Sequence, residues 1–125
     1  MLVASAALAL SACGGHFVAR GADLYDDERY VEAAEVFERT EERLALSPSD
    51  ERARFGLYRG ATYLKLGDVV HATRWLGYAR GVVTSDPSAL DSGELALLEA
   101  TLKALASVKP APPEPKSDGA LATAP

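Results

Sequence analysis

The sequence predicts an all-α fold of about five helices, arranged as two antiparallel helical hairpins and a C-terminal capping helix. Three observations predict it. The chain resembles itself at an offset of 39 positions: Arg20-Gly21-Ala22 falls on Arg59-Gly60-Ala61, Val31 on Val70, Ala33 on Ala72, and Pro48-Ser49 on Pro87-Ser88. A period between roughly 20 and 50 residues marks a supersecondary unit that buries its apolar face by stacking on its neighbours. Apolar residues between these matches recur at helical spacing. Turn-forming clusters punctuate the pattern at Asp26-Asp27-Glu28-Arg29, Ser47-Pro48-Ser49-Asp50, Gly67-Asp68 and Asp86-Pro87.

The elements follow in order. Phe17, Gly21 and Leu24 share one helical face, and the acidic turn at 26–29 ends that helix. Tyr30, Ala33, Ala34 and Phe37 start the second stripe, with Glu32, Glu35, Glu38, Glu41 and Glu42 on its wet side. Ser47-Pro48-Ser49-Asp50 reads as a helix start, with Ser47 as N-cap and Pro48 in the first turn. The third helix carries Phe55, Tyr58, Gly60, Ala61, Tyr63 and Leu64, and it stops at Gly67-Asp68. Val69, Ala72, Leu76 and Ala79 make the fourth. A fifth, about Asp91 to Val108, carries Leu95, Leu98, Leu102 and Leu105. Gly21, Gly60, Ala33 and Ala72 fall where the two helices of a hairpin must approach closely, since a larger side chain would push the axes apart from the usual 8–10 Å.

The ends differ from this middle. Residues 1–19 carry no charged side chain, and Leu2 to Ala12 is an apolar run too short to span a bilayer, which takes about 20 residues. It suits the apolar region of a secretory signal peptide. The run ends in Leu10-Ser11-Ala12-Cys13, which resembles the bacterial lipobox: an aliphatic residue, two small residues, and the cysteine that receives lipid. The resemblance implies a signal peptide over 1–12, cleavage before Cys13, and a diacylglycerol thioether on that thiol. Two or three acyl chains, at ~0.8 kcal/mol per buried methylene, make an effectively permanent membrane anchor. The residue after Cys13 is Gly14 rather than Asp, which by the enteric sorting rule points to the outer membrane, facing the periplasm. At the other end, Pro110-Ala111-Pro112-Pro113-Glu114-Pro115 cannot be helical, and 109–125 reads as a Pro/Ala-rich disordered tail. The folded domain is then 13–108.

The repeat resembles the tetratricopeptide family. Its pattern of a small residue, an aromatic or large residue three on, then Ala, a large residue, a small residue and Pro is met by Gly60, Tyr63, Ala72, Leu76, Ala79 and Pro87. Gly21, Leu24, Ala33, Phe37, Thr40 and Pro48 give the first copy. The family period is about 34 residues. Three of the extra residues here precede each Pro, about one helical turn. A helical-hairpin array of the HEAT kind fits the same spacing. In tetratricopeptide arrays the first helix of each pair lines a concave face. The resemblance therefore implies a partner-binding surface of Val18, Tyr25, Arg54, Leu57, Leu64 and Lys65, beside Ala22, Asp26 and Ala61. Apolar residues beside basic ones would suit an extended or helical peptide. The alternative is that the fifth helix covers them. The family's carboxylate-gripping subclass uses Asn, which this chain lacks.

Composition narrows function by exclusion. The net charge is −5, with no basic excess for nucleic-acid phosphates. One Cys excludes an internal disulfide framework and a zinc site built on thiolates. The two histidines, His16 and His71, have no nucleophile partner, because Cys13 is claimed by lipid. Asp26-Asp27-Glu28 lacks the glycine and further carboxylates of a calcium loop. Gly14-Gly15 lacks the strand and lysine of a phosphate loop. No catalytic residue, metal or cofactor is expected. The charge is uneven: residues 20–42 carry −6, 43–80 carry +4 and 81–125 carry −3. Such blocks orient a partner and raise its on-rate, or are simply solvated faces. The expectation is an envelope lipoprotein that acts as a protein-binding adaptor or assembly factor, with membrane lipid and an envelope protein as partners and no nucleic acid. The alternative is a structural subunit that forms a homo-oligomer, since two and a half repeats make a thin core.

Overall fold

A computed structural model describes residues 16–108. The lipobox with Cys13, the signal peptide and the tail at 109–125 lie outside the described residues. The described residues form five α-helices and one 3-10 helix: α1 His16–Asp26, α2 Tyr30–Thr40, the 3-10 helix Glu41–Leu46, α3 Ser49–Lys65, α4 Val69–Ser85 and α5 Ser92–Ser107. The fold is all-α, and α1–α2 and α3–α4 each pack as a hairpin. The row α1, α3, α5 is in contact in succession, and α5 also packs on α4. It thus takes the place that the first helix of a third unit would occupy.

The internal period holds in three dimensions. Helix α1 ends at Asp26 and α3 at Lys65; α2 starts at Tyr30 and α4 at Val69; the 3-10 helix ends at Leu46 and α4 at Ser85. Each pair is 39 positions apart. The two hairpin turns are also alike. The N–H of Arg29 donates to the Leu24 carbonyl (2.8 Å) and that of Glu28 to Tyr25 (3.0 Å). In the second hairpin Asp68 donates to Tyr63 (2.9 Å) and Gly67 to Leu64 (3.1 Å). This is the Schellman arrangement, which closes a helix with one left-handed residue. That residue is Gly67, at φ +79°, in one turn and Glu28, at φ +61°, in the other. A side chain disfavours that conformation, so Glu28→Gly is expected to stabilise the domain by about 0.5–1 kcal/mol, after allowing for the freer unfolded chain. Thermal unfolding should move up by a few degrees, and no change would show that the turn is unstrained.

The extra turn before each Pro takes two forms. In the second unit it simply lengthens α4. In the first it is the 3-10 helix, which the sequence reading missed. The break falls at Thr40, whose hydroxyl donates to the Val36 carbonyl at 2.7 Å. Such back-bonding competes with the helix ladder and bends it. One further expectation needs correction. Ser47 caps nothing: its hydroxyl donates back to the Arg43 carbonyl (2.9 Å), and α3 begins after Pro48 without a side-chain cap. The matched pair Val31 and Val70 is exposed in both units.

Two apolar clusters hold the array together. The first joins the hairpins through Phe17, Phe37, Phe55 and Trp75, whose rings meet edge-to-face around Phe55 at 5.1–5.9 Å. The second joins α3 and α4 to α5 through Leu57, Leu76, Leu90 and Leu98. Helix α5 is locked in place at its start. Asp91 accepts from the Glu94 N–H (2.8 Å), and the Glu94 carboxylate accepts from the Asp91 N–H (3.2 Å), a full capping box.

Candidate protein-binding surface

The structure divides the six residues expected to face a partner. Val18 and Leu57 have no exposed surface and belong to the two cores, so neither can present itself. For Leu57 the cause is α5, which lays Leu98 in the same cluster. Covering by the fifth helix is therefore the outcome at this position. Tyr25 is half-buried, 5.5 Å from the Tyr30 ring and 5.7 Å from the Tyr58 ring. Burial is the main cause that lifts the Tyr25 and Tyr58 phenols above their ordinary range. Arg54 is committed: its Nε donates to Glu94 at 2.7 Å, which ties α3 to the start of α5. Leu64 is half-buried and Lys65 exposed, two turns beyond Tyr58 on α3. The first-helix face thus keeps a tyrosine cluster and Leu64 beside an engaged arginine, and it has lost Val18 and Leu57, with Ala22 and Ala61, to the core.

A different surface is open on the side of the second helices. The 3-10 helix supplies Leu44 and Ala45, α3 supplies Arg52, and α4 supplies Arg74, Trp75 and Tyr78. Together they line a cleft of about 530 Å³. Trp75 shows the cleft only a narrow edge, and Arg59 packs on its ring from within. The Arg59 guanidinium lies 4.2 Å from the Trp75 ring centroid and 5.7 Å from that of Phe55. Its Nη1 reaches Glu41 at 3.0 Å, so its charge is paired although its side chain is almost fully buried. A buried arginine is tolerated only with such partners. Arg20, its match in the first unit, is exposed. Only the second unit has an earlier one, with Glu41, to pack against.

The polar character of the cleft is one-sided. Arg52 and Arg74 have no acidic partner within salt-bridge distance among the described residues. Arg74 lies 5.2 Å from the Trp75 ring centroid. The Nε of Arg52 and the indole Nε1 of Trp75 are buried without an acceptor. Both are donors, and a buried donor left unpaired costs about 1–3 kcal/mol. A second depression adjoins the cleft, sharing Arg52 and Tyr78 and running to Ser49 and Asp86. Asp86 brings a negative charge to that depression, away from the arginine end. The Ser49 hydroxyl and then the Ser88 groups donate to this carboxylate and hold it below the usual carboxylate range.

The remaining chemistry-bearing residues stay apart. His71 is exposed and bonded through Nδ1 to Asp68 at 2.7 Å. Asp26, Asp27 and Glu28 are exposed along the first turn. Among the described residues no three His, Cys, Asp or Glu side chains are grouped to hold a metal ion, and no helix is long and apolar enough to cross a membrane. What the arrangement can do is bind: an aromatic floor, an apolar rim and unpaired guanidiniums receive an acceptor-rich, apolar-edged segment. In comparison with known proteins, the chain matches no family model, no curated protein and no solved structure.

Proposed function

We propose that this chain is a bacterial envelope lipoprotein, anchored through acylated Cys13 in the outer membrane and facing the periplasm. Its tetratricopeptide-like helical domain would act there as a protein-binding adaptor or assembly factor. One observation carries the binding role: the cleft over Trp75, in which two arginines lack acidic partners and two buried donors lack acceptors among the described residues. A fold of this size spends side-chain entropy to hold such groups in place, and a partner that supplies acceptors offsets the cost. The anchor rests on Leu10-Ser11-Ala12-Cys13 after the apolar run. An acyl anchor and a small binding domain together suit an adaptor, since both act by placing a partner at the membrane.

A second reading is a structural subunit that self-associates. It is favoured by exposed apolar residues, above all Leu46 and Val70, which are 96% and 79% exposed. One measurement separates the two. The chain is extracted from its native membranes in mild detergent, and the mass of its complex is determined. The adaptor reading expects one copy with a different protein. A complex built only of copies of this chain supports the second reading, and a bare monomer contradicts both. Cys13→Ser should release the protein from the membrane fraction. Retention there would overturn the anchor.

A further inference from the structure

We propose that the cleft over Trp75 takes an acidic, extended peptide segment of a partner protein, with carboxylates on Arg74 and Arg52 and an apolar side chain against the aromatic floor. This rests on the reading of the domain as a binding module and names the chemistry of its ligand.

The argument is one of complementarity. Arg52 and Arg74 contribute two unpaired positive charges, and no acidic side chain lines the cleft. Among the described residues the buried unpaired donors are the Arg52 Nε and the Trp75 Nε1 of the lining and, behind the Trp75 ring, the Arg59 Nε; Trp75 itself is 4% exposed. Such a lining rejects cations and leaves donors of a ligand unmatched, but it rewards acceptors, carboxylates most of all. The floor of Trp75 and Tyr78 and the rim of Leu44 and Ala45 are apolar, which inorganic anions cannot use. A peptide can use both. The adjoining depression toward Ser49 lengthens the cleft in one direction, which suits an extended backbone rather than a compact ligand; its far end carries the Asp86 carboxylate, so the acidic residues of the segment belong over Arg52 and Arg74. The location follows from the same residues. They lie on the 3-10 helix, the first turn of α3 and the middle of α4, where two repeat units meet.

Trp75 is the only tryptophan, so all indole emission comes from this ring, which joins the cleft to the core. The full chain, held in detergent micelles, is titrated with a short peptide that repeats Glu-Pro-Leu, in which proline keeps the backbone extended. The neutral Gln-Pro-Leu counterpart is titrated beside it. The acidic peptide is expected to change the emission saturably, with an affinity about tenfold or more above its neutral counterpart, and to weaken as salt is raised. Arg74→Gln should weaken acidic binding about tenfold and Arg74→Lys less, because lysine keeps the charge without the planar fork. Arg80→Gln, on α4 but outside the cleft, should leave binding unchanged. Equal affinity for the two peptides, insensitivity to Arg74→Gln, or no emission change with millimolar acidic peptide would overturn the proposal. So would a response to phosphatidylglycerol vesicles in place of the peptide, or an emission shift with protein concentration alone, which indicates a second copy as occupant. Should the peptides fail while the detergent-extracted chain still carries a different protein, the ligand chemistry falls and the adaptor reading stands.

Discussion

Leu57→Glu is expected to abolish the cooperative thermal transition of the domain and most of its helical circular dichroism. Leu57 has no exposed surface and sits in the cluster that joins α3 and α4 to α5, with Leu76, Leu90 and Leu98. Truncating such a residue to alanine costs about 2–5 kcal/mol through lost transfer energy and the cavity left behind. Glutamate adds the desolvation of a charge with no basic partner in that cluster. The total passes the ~4–5 kcal/mol that marks an exceptional substitution. A domain of this size has only about 5–15 kcal/mol to lose. The alternative geometry, with Leu57 facing a partner on a concave surface, gives the opposite result. There the variant folds normally and loses only binding, and a normal melting curve for Leu57→Glu would therefore displace α5 from its place in the fold.

Gly60→Ala and Gly77→Ala are expected to change stability in opposite directions, although each replaces a helical glycine by the best helix former. The intrinsic gain is about 1 kcal/mol in both. At Gly77 nothing lies within 4 Å of the added methyl, so that gain should appear in full. At Gly60 the methyl would lie 2.6 Å from Leu76 Cγ and 2.9 Å from the Leu76 backbone nitrogen. Leu76 is fully buried, and its backbone nitrogen cannot turn aside. Either α3 and α4 separate or the core is overpacked, at about 1–3 kcal/mol, more where the axes move. The net expectation is a loss of up to about 2 kcal/mol at Gly60. Gly21 should behave like Gly60, because its methyl would lie 2.3 Å from the Phe37 ring. Denaturant midpoints measured side by side check the sign. A stabilised Gly60→Ala would show that the hairpin axes are not held at closest approach.

These two cases also mark what the sequence makes legible. The 39-residue offset marked Gly21 and Gly60 as positions of close approach, because such approach needs a residue without a side chain and that need is written in residue type; that they meet Phe37 and Leu76 is seen only in the structure. Element ends were legible for the same reason, since Gly67-Asp68 and Asp26 to Arg29 stop their helices locally. Where a helix docks is not a local property. The leucines of the fifth helix announced an apolar face, but not that Leu98 would land on Leu57. Likewise Arg20 and Arg59 match in the repeat, yet only Arg59 meets Glu41 of a preceding unit and becomes buried. The cleft was missed through the same limit. Its signals were present in the basic excess of residues 43–80 and in a single tryptophan beside Arg74. The join between the 3-10 helix and α4, which brings Ala45 to Tyr78, depends on the break at Thr40. The surface expected from the first helices kept Tyr25, Leu64 and Lys65 at least partly accessible, but Val18 and Leu57 went to the core.

The central claim is that a partner protein sits in the cleft over Trp75 while Cys13 holds the chain at the membrane. Site-specific photocrosslinking in intact cells tests it most directly. A photoreactive residue replaces Ala45, exposed at the rim of the cleft, or Ala96, exposed on α5. The expected result is a discrete adduct with a different protein from position 45, absent from position 96 and lost when Arg74→Gln is added. No adduct from position 45, or the same adducts from both positions, would contradict the account.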